Sequence, residues 1–318
     1  MNTSQVSMEV WERIIDLVGI ESNADPITYY PAIRTCCLVC SSWLPRSRYN
    51  LFSKVAITEE LSRSGLSRVY CLARTVCERS DLTYLIHELH IRPRTPGRAI
   101  PLVVTPGPGT WATAMVSLRT VKLVGVGWHP TLYTATISRF PTPVHLELER
   151  VAFDGASSLF HLIWSLPHLV CVILHQVTIP KMSQMKFMKI CSMRPQAVLG
   201  CLTELSISGH LADEEHFPPP GAFGKVLRKV YLEFSSRHWH KSRLRAMLQM
   251  STALEDFQAC IHLSSDGETA PDDLCLQLMS QLSTSVIRLV KLDLRPVTFT
   301  KGGYGSTADE GFLGSSAS

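Results

Sequence analysis

The chain has 318 residues, enough to bury roughly three-quarters of its unfolded surface as one large domain or two modest ones. With 45% hydrophobic and 18% charged residues it is expected to pack as a soluble protein, which sets aside disorder over most of its length. A net charge of +4 is too mild to imply nucleic acid, and no run of about eighteen uncharged apolar residues marks a membrane span.

Residues 7–18 are predicted as a helix with Met8, Trp11, Ile14, Ile15 and Val18 on an apolar face and Glu9, Glu12, Arg13 and Asp16 opposite. Charges inside this first apolar stretch argue against a signal peptide. Asn23, Asp25 and Pro26 mark a loop. Pro31 suits the first turn of a second helix, which carries Ile33, Cys36, Cys37, Cys40 and Leu44 and is expected to stop where Leu44 meets Pro45. A short amphipathic segment with Tyr49, Leu51 and Phe52 follows, then a strand near residues 55–57. About fifty residues of this kind are too few for a stable core, so something else must complete the unit.

Further on, apolar residues recur as L-x-x-L-x-L. The copies are Ile86, Leu89, Ile91; Leu118, Val121, Leu123; Leu146 and Leu148 without a first member; Leu169, Val172, Leu174; Leu202, Leu205, Ile207; Leu227, Val230, Leu232; a weak Leu254, Phe257, Ala259; and Leu289, Leu292, Leu294. Between the middle residues the steps are 32, 25, 26, 33, 25, 27 and 35. The short steps fall within the period of about 20–29 residues of leucine-rich repeats, and the alternating tail of each copy predicts a strand with one buried face. Candidate helices lie between copies, through Leu159, Leu162, Ile163 and Leu166, through Leu244, Met247 and Leu248, and through Leu274, Leu278 and Leu282. Strand then helix, repeated, predicts parallel strands on one side and helices on the other.

Two interruptions rich in proline and glycine or acid are expected as loops, 92–109 and 211–224, and residues 301–318 as a disordered tail.

The chemical candidates are weak. Zinc needs four ligands, and no second pair accompanies Cys36, Cys37 and Cys40, so these are expected in an apolar core. The ten cysteines stand singly, among them Cys171, Cys191, Cys201, Cys260 and Cys275, as reduced core thiols do, which points to cytosol or nucleus. The basic stretch around His238, Trp239 and His240 reads as a solvated helix start with an anchoring tryptophan. The glycines at 302, 303 and 305 lack the lysine and following helix of a phosphate loop. His87, His90, His145, His161, His168 and His175 have no acid or nucleophile at motif distance. A cysteine-dependent enzyme is a distant rival.

Ile14-Ile15, Val39-Cys40-Ser41-Ser42-Trp43 and Leu51-Phe52 together resemble the F-box, in the version common at the N-terminus of fungal F-box proteins. That family usually opens with Leu-Pro where this chain has Val6-Ser7, and has arginine where Ser41 stands. A serine still caps a helix through its hydroxyl. The later copies resemble the leucine-rich repeats found downstream of F-boxes. The family's loop asparagine or cysteine is replaced by Val126, Val151, Val177, His210 and Ser235, so an irregular solenoid is expected.

The resemblance implies an α/β chain: a three-helix F-box-like module over 1–55, an irregular repeat region with parallel strands and outer helices over 56–300, and the tail. It further implies a substrate-receptor subunit of an SCF-type cullin-RING ubiquitin ligase, catalytically silent and without cofactor or metal. Docking to the ligase adaptor, and through it a cullin, is expected through Val6, Val10, Ile14, Ile15, Val39, Trp43 and Leu51. The repeats would hold an unknown target protein, with no part for nucleic acid or membrane. A non-ligase interaction scaffold is the alternative.

Overall fold

The computed structural model describes residues 7–20, 26–58, 67–102, 110–180, 201–209, 223, 226–235, 253–263 and 289–296. The chain opens with three helices, α1 (Met8–Ile20), α2 (Pro26–Val39) and α3 (Leu44–Ser53), each packed on the other two. α2 starts at Pro26, not at Pro31, which lies inside the helix. Pro45 likewise does not stop a helix. It stands in the first turn of α3, where its missing N–H would have had no partner anyway. The break falls earlier, in a turn over residues 40–43 that the Trp43 N–H closes on the Cys40 carbonyl at 3.2 Å. Among the described residues, each helix has one that is fully enclosed: Ile15, Ile33 and Ser47.

α3 runs without a linker into β1 (Lys54–Ile57), so the boundary expected at residue 55 lies inside a strand. The strands that follow are β2 (Glu88–Ile91), β3 (Thr120–Val124), β4 (His145–Glu149), β5 (Cys171–His175), β6 (Glu204–Ser208), β7 (Lys229–Ser235), β8 (Asp256–Leu263) and β9 (Leu289–Pro296). Among the described residues these nine form one all-parallel sheet in chain order. The fold class is therefore α/β, with the strand succession of a solenoid-like stack.

The middle residues of the copies line up as one row across the sheet. Leu89, Val121, Leu146, Val172, Leu205, Val230 and Phe257 are all buried and in register. Val55 of β1 extends the row by one strand. Where the third copy lacks its leucine, Pro143 is buried instead. The last copy is out of phase with its expected register: Phe257 faces Val290, and Leu292 faces Ala259. The last step is then 33 residues (290 minus 257) rather than 35.

Helices α4 (Arg68–Glu78), α5 (Ser80–Thr83), α6 (Thr110–Ala114), α7 (Pro130–Ile137) and α8 (Ala156–Trp164) connect the first five strands. Val69, Ala73 and Val76 of α4, and Leu159, Leu162 and Ile163 of α8, share one buried cluster with the strand leucines. The helices thus cover one face of the first five strands, and the alternate strand residues on the other face are largely half-exposed. The expected helices near Leu244 and Leu274 lie outside the described residues, as does the tail.

No asparagine ladder holds the turns after the strands. Val126, Val151 and Val177 point inward and are fully buried. The turn is made by backbone instead. Gly125, Arg150, Gln176 and Gly209, each the first residue past its strand, are left-handed with φ of 61°, 53°, 51° and 81°. Their amides link successive turns: Gly125 donates to the Glu149 carbonyl at 2.7 Å, Arg150 to His175 at 2.8 Å and Gln176 to Ser208 at 2.9 Å. Two residues on, Gly127, Ala152 and Thr178 form a further parallel row of bridges.

The stretch 92–109, expected as a long loop, is partly tied down. Ile100 and Leu102 are buried, and the Ile100 N–H donates to the Tyr133 hydroxyl at 2.6 Å. Isolated apolar residues among prolines are enough to anchor it. Of the stretch 211–224 only Phe223 is described, packed on Phe160 with ring centroids 5.7 Å apart.

Candidate functional site

Two surfaces stand out, one on the helical unit and one on the open face of the sheet. The first is apolar. α1 shows Val10, Ile14 and Leu17 to solvent, at the i, i+4, i+7 spacing of a single helical stripe. Leu38 is 86% exposed and Val39 56%, at the end of α2, and Leu44 is exposed at the start of α3. The Trp11 and Trp43 rings meet with centroids 4.8 Å apart, which brings the start of α1 beside the turn that carries these residues.

The residues expected to dock a partner divide accordingly. Val10, Ile14 and Val39 are exposed, and Trp43 and Leu51 are half-buried. Ile15 corrects the expectation. At 1% exposure it belongs to the interior of the unit, because the neighbours Ile14 and Ile15 point about 100° apart on a helix and only one can face α2 and α3. Val6 lies outside the described residues. Leu17 and Leu38 were missed, although the Val10–Ile14–Leu17 spacing was there to be read.

Polar contacts hold the unit together and fix it to the sheet. Arg46 forks onto the Asp16 carboxylate, its Nε donating to Oδ1 at 2.6 Å, and the Asn50 amide donates to the same oxygen at 2.9 Å. The Arg46 hydrogen bond holds the Asp16 carboxyl below its ordinary range. From α3, Arg48 reaches Asp81 at 2.8 Å and the Tyr49 ring lies 5.6 Å from that of His87. The His87 N–H donates to the Ser53 carbonyl at 2.9 Å. The apolar stripe is thus carried on a unit braced against the first turn of the sheet.

The second surface is formed by the alternate strand residues that point away from the leucine row. It is laced with ion pairs. Lys54 stands 3.6 Å from Glu88, Lys229 stands 2.7 Å from Glu204, and Lys122 bridges Glu147 and Glu149. Burial pulls the Lys122 amine down, but the two carboxylates more than offset it and hold the amine above its usual range. His175 hydrogen-bonds the Ser208 hydroxyl, a contact that looks like a base and nucleophile. Glu149 is registered beside His175, yet its oxygens engage Arg150 at 2.8 Å and Lys122 at 3.4 Å. The pair is a strut between strands.

The thiols divide by environment. Burial pushes the Cys171 thiol up to about 11, which leaves it protonated and inert. Cys40 and Cys201, expected in the core, are exposed. A hydrogen bond with the Ser42 hydroxyl lowers the Cys40 thiol. Cys191, Cys275, the basic stretch near Trp239 and the glycines near 302 lie outside the described residues. Among the described residues no group of histidine, cysteine and carboxylate could hold a metal, and no helix is long and apolar enough to cross a membrane. No protein-family model matches this chain, and no curated protein matches it.

Proposed function

We propose that the chain is a substrate-receptor subunit of an SCF-type cullin-RING ubiquitin ligase, its first three helices an F-box and its sheet region a set of irregular leucine-rich repeats. The carrying observation is the exposure of Val10, Ile14 and Leu17 along one stripe of α1, and of Leu38 and Val39 at the end of α2. Several exposed apolar side chains on one small helical unit favour a partner subunit, because burying them removes apolar area from water. Val10, Ile14 and Val39 make the contact, with Trp43 and Leu51 as half-buried support. The open sheet face holds the target, and the brace between α3 and Asp81 keeps the two surfaces at a fixed separation. The chain supplies proximity, and other subunits supply the ubiquitin chemistry in cytosol or nucleus.

The test is co-purification of the intact chain with the ligase adaptor. Wild type is recovered with it, and Ile14→Asp with Val39→Asp is not, while both unfold at the same temperature. Equal recovery of the two removes the proposal. The Trp11–Trp43 contact and the burial of Ile15 favour a second reading, a scaffold whose helices serve only the chain's own fold. That reading expects no adaptor recovery even for wild type.

A further inference from the structure

Cys37, Leu38, Val39 and Cys40 make a C-x-x-C sequence that straddles the end of α2, which closes at Val39. The two residues between the cysteines, Leu38 and Val39, are exposed. Both cysteines are free thiols in different settings: Cys37 is half-buried and Cys40 is exposed. Two cysteines at this spacing can act together as a reversible dithiol.

The Cys40 sulfur sits among donors. The Ser42 hydroxyl lies 3.0 Å away, and the Trp43 and Ser42 amides are also directed at it. These contacts, the Ser42 hydroxyl foremost, hold the thiol below its usual range and raise the share present as thiolate. Cys37 is the opposite case. Burial and the neighbouring Cys36 thiol push it up, so it stays protonated. The pair therefore has an exposed attacking sulfur and a sheltered resolving one.

We infer that Cys37 and Cys40 close into a reversible disulfide under hydrogen peroxide, and that this bond reshapes the Leu38–Val39 turn and weakens docking. The effect on docking rests on the reading of the helical unit as an adaptor-binding surface, whereas the disulfide does not. The Cys40 thiolate attacks one peroxide oxygen, forming an S–O bond and breaking the O–O bond. Hydroxide leaves and takes a proton to become water. Cys37 then gives up its proton and attacks the sulfenic sulfur, so the S–S bond forms, the S–O bond breaks and a second water leaves. The two thiols have lost two electrons and two protons, and the peroxide has become two waters.

The bond needs the backbone to move. Side chains three residues apart on a helix have Cβ atoms about 5–6 Å apart, and a disulfide needs about 3.8 Å. Closing it draws in the last turn of α2, which carries Leu38 and Val39. The Cys40 carbonyl accepts the Trp43 N–H, so the pull also reaches the Trp11–Trp43 ring contact.

In the experiment the intact reduced chain meets a small excess of hydrogen peroxide at neutral pH. It is then denatured, blocked with N-ethylmaleimide and digested with trypsin. Cleavage after Arg34 and Arg46 gives one peptide holding Cys36, Cys37 and Cys40. Mass spectrometry is expected to find a single maleimide on it, at Cys36, with the other two sulfurs joined. Dithiothreitol before blocking should restore labelling of all three. Cys37→Ser should stop at the sulfenic acid, trapped by dimedone on Cys40, and Cys36→Ser should keep the disulfide. Full labelling after peroxide, a bond to Cys36, or no dimedone on Cys40 overturns the inference. Tryptophan emission is expected to shift on oxidation in wild type and not in the double variant Cys37→Ser with Cys40→Ser. An unchanged wild-type emission also overturns it. Oxidation should cut recovery with the adaptor at least about fivefold, reversibly and only where both cysteines are present. A disulfide with unchanged recovery overturns the switch. Recovery of the reduced chain without any disulfide sinks this inference alone, and a disulfide with the emission shift but no recovery of the reduced chain sinks the ligase assignment alone.

Discussion

Asp16 on α1 and Arg46 on α3, thirty residues apart, form a two-pronged ion pair that also receives the Asn50 amide. It ties together the first and third helices of a unit in which, among the described residues, Ile15, Ile33 and Ser47 are buried. A paired, partly solvated contact of this kind contributes about 1 kcal/mol. Asp16→Asn is expected to cost that much in urea unfolding. The carboxyl is held below its unfolded value, so its contribution is complete above the unfolded value, about pH 4, and fades as pH falls through the folded one. The Asn variant should lose that part of the acid sensitivity, and an unchanged pH profile would show that the pair contributes nothing.

Asp81 receives Arg79 and Arg48 and is held down to about 2 by their hydrogen bonds. Its brace is complete above about pH 4 and is lost as pH falls towards 2. Carbon NMR of the carboxylate is expected to follow a midpoint near 2 in wild type. Replacing both arginines with alanine should move the midpoint toward the ordinary aspartate value of about 4.

The turns after the strands are sensitive to single methyl groups. A Cβ on Gly127 would stand 1.9 Å from the Gly97 carbonyl oxygen, so the backbone itself must move. Gly209 has φ +81° and lies against the Gln176 backbone. Gly127→Ala is expected to cost about 2–3 kcal/mol and Gly209→Ala about 1–2 kcal/mol. Gly155→Ala, with extended φ and only the Ser157 hydroxyl 3.6 Å away, should stay within about 0.5 kcal/mol. Equilibrium unfolding of the three variants checks the ranking.

Alkylation should discriminate between thiols. At neutral pH, iodoacetamide is expected to modify the exposed Cys40 well before Cys171 and Cys260, which are buried. Peptide mass spectrometry over time reads the order. Early labelling of Cys171 would revive the idea of a reactive cysteine on the sheet.

Much of the repeat region was legible in the sequence because a strand with one buried face has a period of two, and leucine, isoleucine and valine were placed on that period. The same physics explains the one slip. Val290, Leu292 and Leu294 alternate with Lys291 and Asp293 along the sequence, so moving β9 by two residues leaves its apolar pattern intact, and only pairing with Phe257 decides the register. The β1 strand was visible as residues 55–57, but its place beside β2 was not, since pairing is a contact between distant parts of the chain.

The N-terminal unit shows the limit more sharply. Sequence alone determined that an apolar, amphipathic helix comes first, that an apolar pair sits within it, and that a tryptophan follows the second helix, because helix formation and amphipathicity are local properties. Which of Ile14 and Ile15 is enclosed, that Asp16 has a partner on α3, and that Gly125, Arg150, Gln176 and Gly209 turn the chain where asparagines were absent were settled by packing. Each depends on atoms brought together from far along the chain, and their mutual exclusion of volume chooses one side chain over its neighbour.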